Sequence, residues 1–135
     1  MKRWQQTHPL LCAAICSCFA FAPANAQSVK VAVLQGLDKV TARISPIQAP
    51  IGEEVAFGTL VITARTCHKR PPEETPETTA FLEIIDDKPG EPPQLVFSGW
   101  MFASSPALSA LEHAVYDIWV VDCKIADLSD GSASE

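Results

Sequence analysis

The run Glu54-Val55-Ala56-Phe57, Gly58-Thr59, Leu60-Val61-Ile62-Thr63-Ala64-Arg65 constrains the fold more than any other stretch of the chain. Two segments rich in β-branched and aromatic residues flank a Gly-X pair. Glycine can take the positive φ that a two-residue type II′ hairpin needs at its first central position. Phe57 then faces Leu60 across the turn. The two-residue period of a strand puts Val55, Phe57, Leu60, Ile62 and Ala64 on one apolar face, and Ala56, Val61, Thr63 and Arg65 on the other. The first set reads as a core face, and the unit as antiparallel β.

The rest of the chain is punctuated in the same way. Residues 29–34 are a short apolar segment, and 39–44 alternate Val40, Ala42 and Ile44 with polar neighbours, so both are expected as strands. Pro46 and Pro50 restrict the backbone, which makes 45–51 an extended edge or loop segment. Residues 68–78, HKRPPEETPET, read as an exposed polyproline-like loop. A second hairpin follows, with strands at 79–85 and 94–97 around the turn region DDKPGEPP.

Residues 98–113 differ. Gly99 interrupts, Trp100, Met101 and Phe102 are consecutive and bulky, and Ser104-Ser105-Pro106 predicts a short helix over about 106–111 with Leu108 and Leu111 on one side. Residues 116–123 form the last strand, with Trp119, Val121 and Cys123 on one face, and the polar stretch from Asp127 reads as a frayed tail. Six or seven strands without intervening long helices predict an all-β domain, a mainly antiparallel small sandwich or barrel with one short helix.

The N-terminus adds a compartment. Lys2 and Arg3, the apolar run 10–22 and the Ala24-Asn25-Ala26 site have the pattern of a secretory signal peptide over 1–26, giving a mature chain that starts at Gln27. The apolar run is shorter than the roughly 20 residues that span a bilayer, so an integral membrane segment after cleavage is not expected. Ile15-Cys16-Ser17-Cys18 only loosely matches a lipid-attachment pattern, and such processing would leave the site at Ala26 unexplained. The domain plan is therefore a signal at 1–26, a single β-rich domain at 27–124 and a flexible tail at 125–135.

Cleavage would remove Cys12, Cys16 and Cys18 and leave Cys67 and Cys123 of the five cysteines. In an oxidising compartment such a pair reads as a structural disulfide. One difficulty stands: simple alternation puts Cys67 on the outer face of its strand, whereas Cys123 shares a face with Trp119. A bulge, or a bridge beyond the strand ends, would resolve it. The competing reading, a metal site from Cys67, His68, His113 and Cys123, has poor ligand spacing, so no metal or other cofactor is expected.

Without Lys2 and Arg3, eight basic residues face sixteen acidic ones, a net charge of −8. The densest basic cluster, Arg65, Lys69 and Arg70, runs straight into Glu73, Glu74 and Glu77, which argues against a nucleic-acid partner. Ser98, Ser104 and Ser105 accompany His68 and His113, but none sits in a nucleophile motif, and an enzyme is not expected. The functional candidates are Trp100, Met101, Phe102, Leu108 and His113. Three consecutive bulky residues on a strand cannot all face one core, so at least one is expected in a groove or against a partner. The competing reading is that the short helix covers them.

The stretches AVLQGLDKVTARIS, PIGEEVAFGTLVITARTCHKRPPEETPE and FSGWMFASSPALSALEHAVYDIWVVDC resemble an exported proteobacterial family classed only as a domain of unknown function, DUF2155-like, over about 31–124. The resemblance implies an envelope location and includes cysteines matching Cys67 and Cys123; it assigns no activity, cofactor or catalytic residue. The family commonly has a proline where this chain has Ala114. The function expected is a periplasmic, disulfide-stabilised binding module for an unidentified cell-envelope protein. The alternative is a small-ligand or glycan-binding module whose pocket uses Trp100, Trp119 and Tyr116.

Overall fold

The computed structural model describes residues 27–127, and within it every paired strand is antiparallel. The expected signal peptide at 1–26 and residues 128–135 of the expected tail lie outside the described residues. Seven strands run in the order β1 (Ser28–Asp38), β2 (Arg43–Pro50), β3 (Glu54–Phe57), β4 (Leu60–Lys69), β5 (Thr78–Asp86), β6 (Gln94–Phe102) and β7 (Tyr116–Asp127). They form a three-stranded sheet β2-β1-β7 and a four-stranded sheet β3-β4-β5-β6. The inner faces meet in one apolar core: Ala32, Leu34, Ile47, Ile118 and Val120 from one sheet, and Leu60, Ile62, Leu82, Ile84 and Met101 from the other.

The hairpin of β3 and β4 forms as its sequence dictates. Phe57 pairs with Leu60, Gly58 has φ 59°, and Leu60, Ile62 and Ala64 are fully buried. Gly58 is also pinned from outside, because the Tyr116 ring lies where a β-carbon would project. Pro46 and Pro50 sit in β2, an outer strand that needs ladder donors on one side only.

Four expectations are corrected. Residues 39–42 are a turn, not a strand, and Val40 is 78% exposed. The Asp38 carboxylate accepts from the amides of Val40 and Thr41, and this local bonding closes the chain before a strand can form. The short helix over 106–111 is only a 3-10 turn, Pro106–Leu108. Ser105 makes no side-chain cap and Ser109 turns extended at φ −149°, so nothing propagates the turn. Strand β6 continues to Phe102, five residues past the expected end. Finally, Ile125, Ala126 and Asp127, read as the start of a tail, continue β7 and pair with β1.

Among the described residues no helix is long and apolar enough to cross a membrane.

Candidate functional site

The disulfide is built by two irregularities. In β4, Ala64 pairs with Leu82 and Thr66 with Phe81, so Arg65 is an extra residue. In β7, Val120 pairs with Leu34 and Asp122 with Val33, so Val121 is extra. Each bulge shifts the alternation by one position, which is what brings both cysteines inward. Cys67 and Cys123 bond across the gap between the sheets with Cα atoms 5.9 Å apart. Cys123 thus faces the core while Trp119 does not, and the expected common face of Trp119, Val121 and Cys123 is corrected. Beside the bridge, Lys69 holds Asp122 at 2.8 Å, and this ammonium keeps the carboxyl below its ordinary range.

The three consecutive bulky residues divide between the two sides of β6. Met101 is 2% exposed and belongs to the core; Trp100 is 40% exposed on the outer face. Across the ladder Trp100 stands opposite Phe81, edge-on with ring centroids 5.6 Å apart, and it stacks on His68 at 6.3 Å. Phe102, next on the outer side, borders a groove of about 530 Å³ shared with His68, Lys69, Arg70, Pro71, Glu77 and Thr79. Glu77 shapes one rim: its carboxylate accepts from the amide and hydroxyl of Ser104, and those bonds lower its pKa. This surface can bind an apolar or aromatic group next to an anionic one. On the same face the Thr66 hydroxyl lies 3.4 Å from His68 Nε2.

His113 lies away from that surface, in a polar clasp at the end of the sandwich. Its Nε2 is 2.9 Å from Asp86 Oδ2, while Nδ1 accepts from the amides of Val115 and Tyr116. An acceptor Nδ1 places the ring proton on Nε2, so His113 donates to Asp86. The Thr59 hydroxyl and the Lys88 ammonium also reach that carboxylate. Burial alone would raise the pKa of Asp86; hydrogen bonds from Thr59, His113 and Lys88 outweigh it and lower the value from 3.8 to about 2. Tyr116 stacks on His113 and meets Phe57 edge-on. Lys39 closes the clasp on the His113 carbonyl at 2.7 Å. Both ring nitrogens are engaged by structural partners, so the geometry leaves no free nitrogen to activate a serine or water.

The expected site therefore separates. Trp100 and Phe102 share the outer face of the four-stranded sheet, Met101 is core, and Leu108 stands alone at 75% exposure. The pocket imagined from Trp100, Trp119 and Tyr116 is not assembled. Trp119 lines a different groove with Pro106 and Asp117, and Tyr116 belongs to the clasp. The metal constellation is not brought together either: its cysteines are bonded to each other, His68 stacks on Trp100 and His113 holds Asp86. His68 and Phe81 stand beside Trp100, and Arg70 beside Phe102, without a signal in the linear sequence. A plain count back from the β5–β6 turn sets Ala80 opposite Trp100; the bulge at Val96 shifts the register by one and brings Phe81 there instead.

Fold and surface together define a disulfide-bridged two-sheet β domain with an exposed aromatic shelf. Residues 32–123 match the model of a family described as an uncharacterized protein conserved in bacteria (DUF2155), and the chain belongs to that family. An uncharacterised protein of Rickettsia prowazekii (strain Madrid E) is 37% identical over 87 residues, 64% of this chain. The match spans 56% of that relative's length. No solved structure matches the chain.

Proposed function

We infer that the protein is a non-enzymatic binding module of the periplasm that engages another cell-envelope protein through the outer face around Trp100. The observation that carries this reading is the exposed Trp100, held by Phe81 and His68 beside the groove at Phe102. Aromatic side chains held rigid at the surface give large contact areas at low entropic cost, which is why they dominate interface energetics. The Cys67–Cys123 bridge supports an exported location, since such bonds persist in oxidising compartments.

The test is crosslinking in the native envelope followed by capture of the tagged protein. Trp100→Ala and Phe102→Ala are expected to weaken capture of one stoichiometric partner while each variant keeps its folded spectrum. Capture that is indifferent to both substitutions removes the basis for this reading.

A further inference from the structure

We propose that the free edge of β6 receives an extended segment of the partner protein as a fifth strand of the sheet β3-β4-β5-β6. This rests on the binding reading above and specifies how the partner is held. Two open sheets have four edges, and an edge presents unpaired N–H and C=O groups to any strand that approaches. Three of the four are blunted here. β2 carries Arg43, Pro46 and Pro50; β3 is four residues long and begins with Glu54. β7 carries Asp117, Asp122 and Lys124 and is bent by the Val121 bulge. β6, with the sequence QLVFSGWMF, has neither a charge nor a proline. Its own bulge, at Val96, lies near the start and leaves the stretch through Phe102 regular.

The phase of the ladder shows which groups are open. The Ala103 amide donates to the Thr78 carbonyl at 2.8 Å, and hydrogen-bonded pairs alternate along an antiparallel ladder. Met101 and Gly99 therefore bond to β5, and the backbone groups of Trp100 and Ser98 point to the free edge. Among the described residues no hydrogen bond reaches them. They sit two residues apart, the repeat that an incoming strand matches.

Side-chain chemistry selects the segment. Ser98, Trp100 and Phe102 project on the outer face, so alternate side chains of an added strand stand beside them, and an apolar or aromatic one extends the shelf of Trp100 and Phe81. Past Phe102 the chain meets the groove with Arg70, which makes no salt bridge among the described residues; its charge acts at longer range on Glu77, whose carboxylate is held by Ser104. Lys69, in contrast, is paired with Asp122. The segment recognised is thus an extended peptide with an apolar residue followed at its flank by an acidic one. Main-chain bonds supply affinity, and the shelf and Arg70 supply selectivity.

The experiment pans a random library of displayed peptides, about 12 residues long to exceed one strand, against the full chain with its disulfide formed. Recovered peptides are measured by titration and by amide hydrogen exchange. The expected peptides carry the apolar and acidic pair and protect the amides of Ser98 and Trp100. Ser98→Pro removes an outward donor without touching the bonds to β5, and is expected to weaken binding about tenfold, the worth of one such bond; Ser98→Ala is expected to bind like the parent. Should Ser98→Pro fail to fold, the exchange pattern of the parent protein decides. Peptides that protect other amides and bind Ser98→Pro normally overturn the edge mode while leaving the binding reading intact. Failure of the library to yield any binder overturns the edge mode, and envelope capture then judges the binding reading separately. A concentration-dependent dimer that protects the same two amides assigns the edge to a second copy and overturns the peptide.

Discussion

Arg65 and Val121 are the extra residues of two β-bulges, one on each strand that carries a half-cystine, and the pair of irregularities turns Cys67 and Cys123 toward each other. Neither bulge alone would suffice, because each reverses the facing of only one cysteine. Deleting Arg65 is therefore expected to turn Cys67 out of the core and leave Cys67 and Cys123 as two additional reactive thiols. Thiol titration of the folded and unfolded protein checks this; an intact bond in the deletion variant would contradict the role given to the bulge.

The bridge joins residues 56 apart in sequence and ties the last strand to the facing sheet. Closing a loop of that length is worth roughly 4 kcal/mol in the chain-entropy account. Replacing both cysteines by Ala is expected to lower the unfolding free energy by about that amount, out of a total of roughly 5 to 15 kcal/mol. Urea unfolding of the parent and the double variant measures it.

The Asp86 clasp predicts acid sensitivity of definite sign. Its carboxylate titrates near 2 in the folded protein and 3.8 otherwise, so the stabilisation is complete above the higher value, declines as pH falls through the interval, and is gone below the lower one. A shift of this size corresponds to roughly 2 kcal/mol, reduced toward 1 by solvent near the Lys88 side. Asp86→Asn is expected to lose that amount at neutral pH and to show a flatter decline in unfolding midpoint between pH 5 and pH 2, in steps set by the carboxylate range. Urea midpoints across that range are the measurement.

Two glycines are irreplaceable for different reasons. A β-carbon on Gly36 would come within 2.6 Å of the Phe57 ring between the sheets, and one on Gly58 would meet Tyr116 at a position that also has φ 59°. Each change to Ala is expected to cost about 1 to 3 kcal/mol, by overpacking at Gly36 and by backbone strain with displacement of Tyr116 at Gly58. Thermal unfolding of the two variants, with near-ultraviolet circular dichroism to follow Tyr116, tests both.

Adjacent residues of β6 have opposite sensitivities. Met101→Ala is expected to cost about 2 to 5 kcal/mol because it empties a core position, and Trp100→Ala less than about 1. Equal losses in denaturation would place Trp100 in the core and withdraw the binding surface.

Local chemistry was enough for much of this protein. The Gly58 turn, the apolar face of Leu60, Ile62 and Ala64, the edge character of the stretch with Pro46 and Pro50, and the all-antiparallel class follow from backbone geometry and a period of two, which neighbouring residues carry by themselves. The pairing of Cys67 with Cys123 followed from their number once the first three cysteines were set aside. What alternation could not show is where it breaks. A bulge is decided by the partner strand, so the inward turn of both cysteines and the true facing of Trp119 depended on ladders between distant segments. The same holds for the aromatic shelf and the clasp: His68, Phe81 and Trp100 come from three strands that meet only through the ladders of one sheet, and Thr59 and Asp86 meet His113 only when the segment before β7 folds back against that sheet.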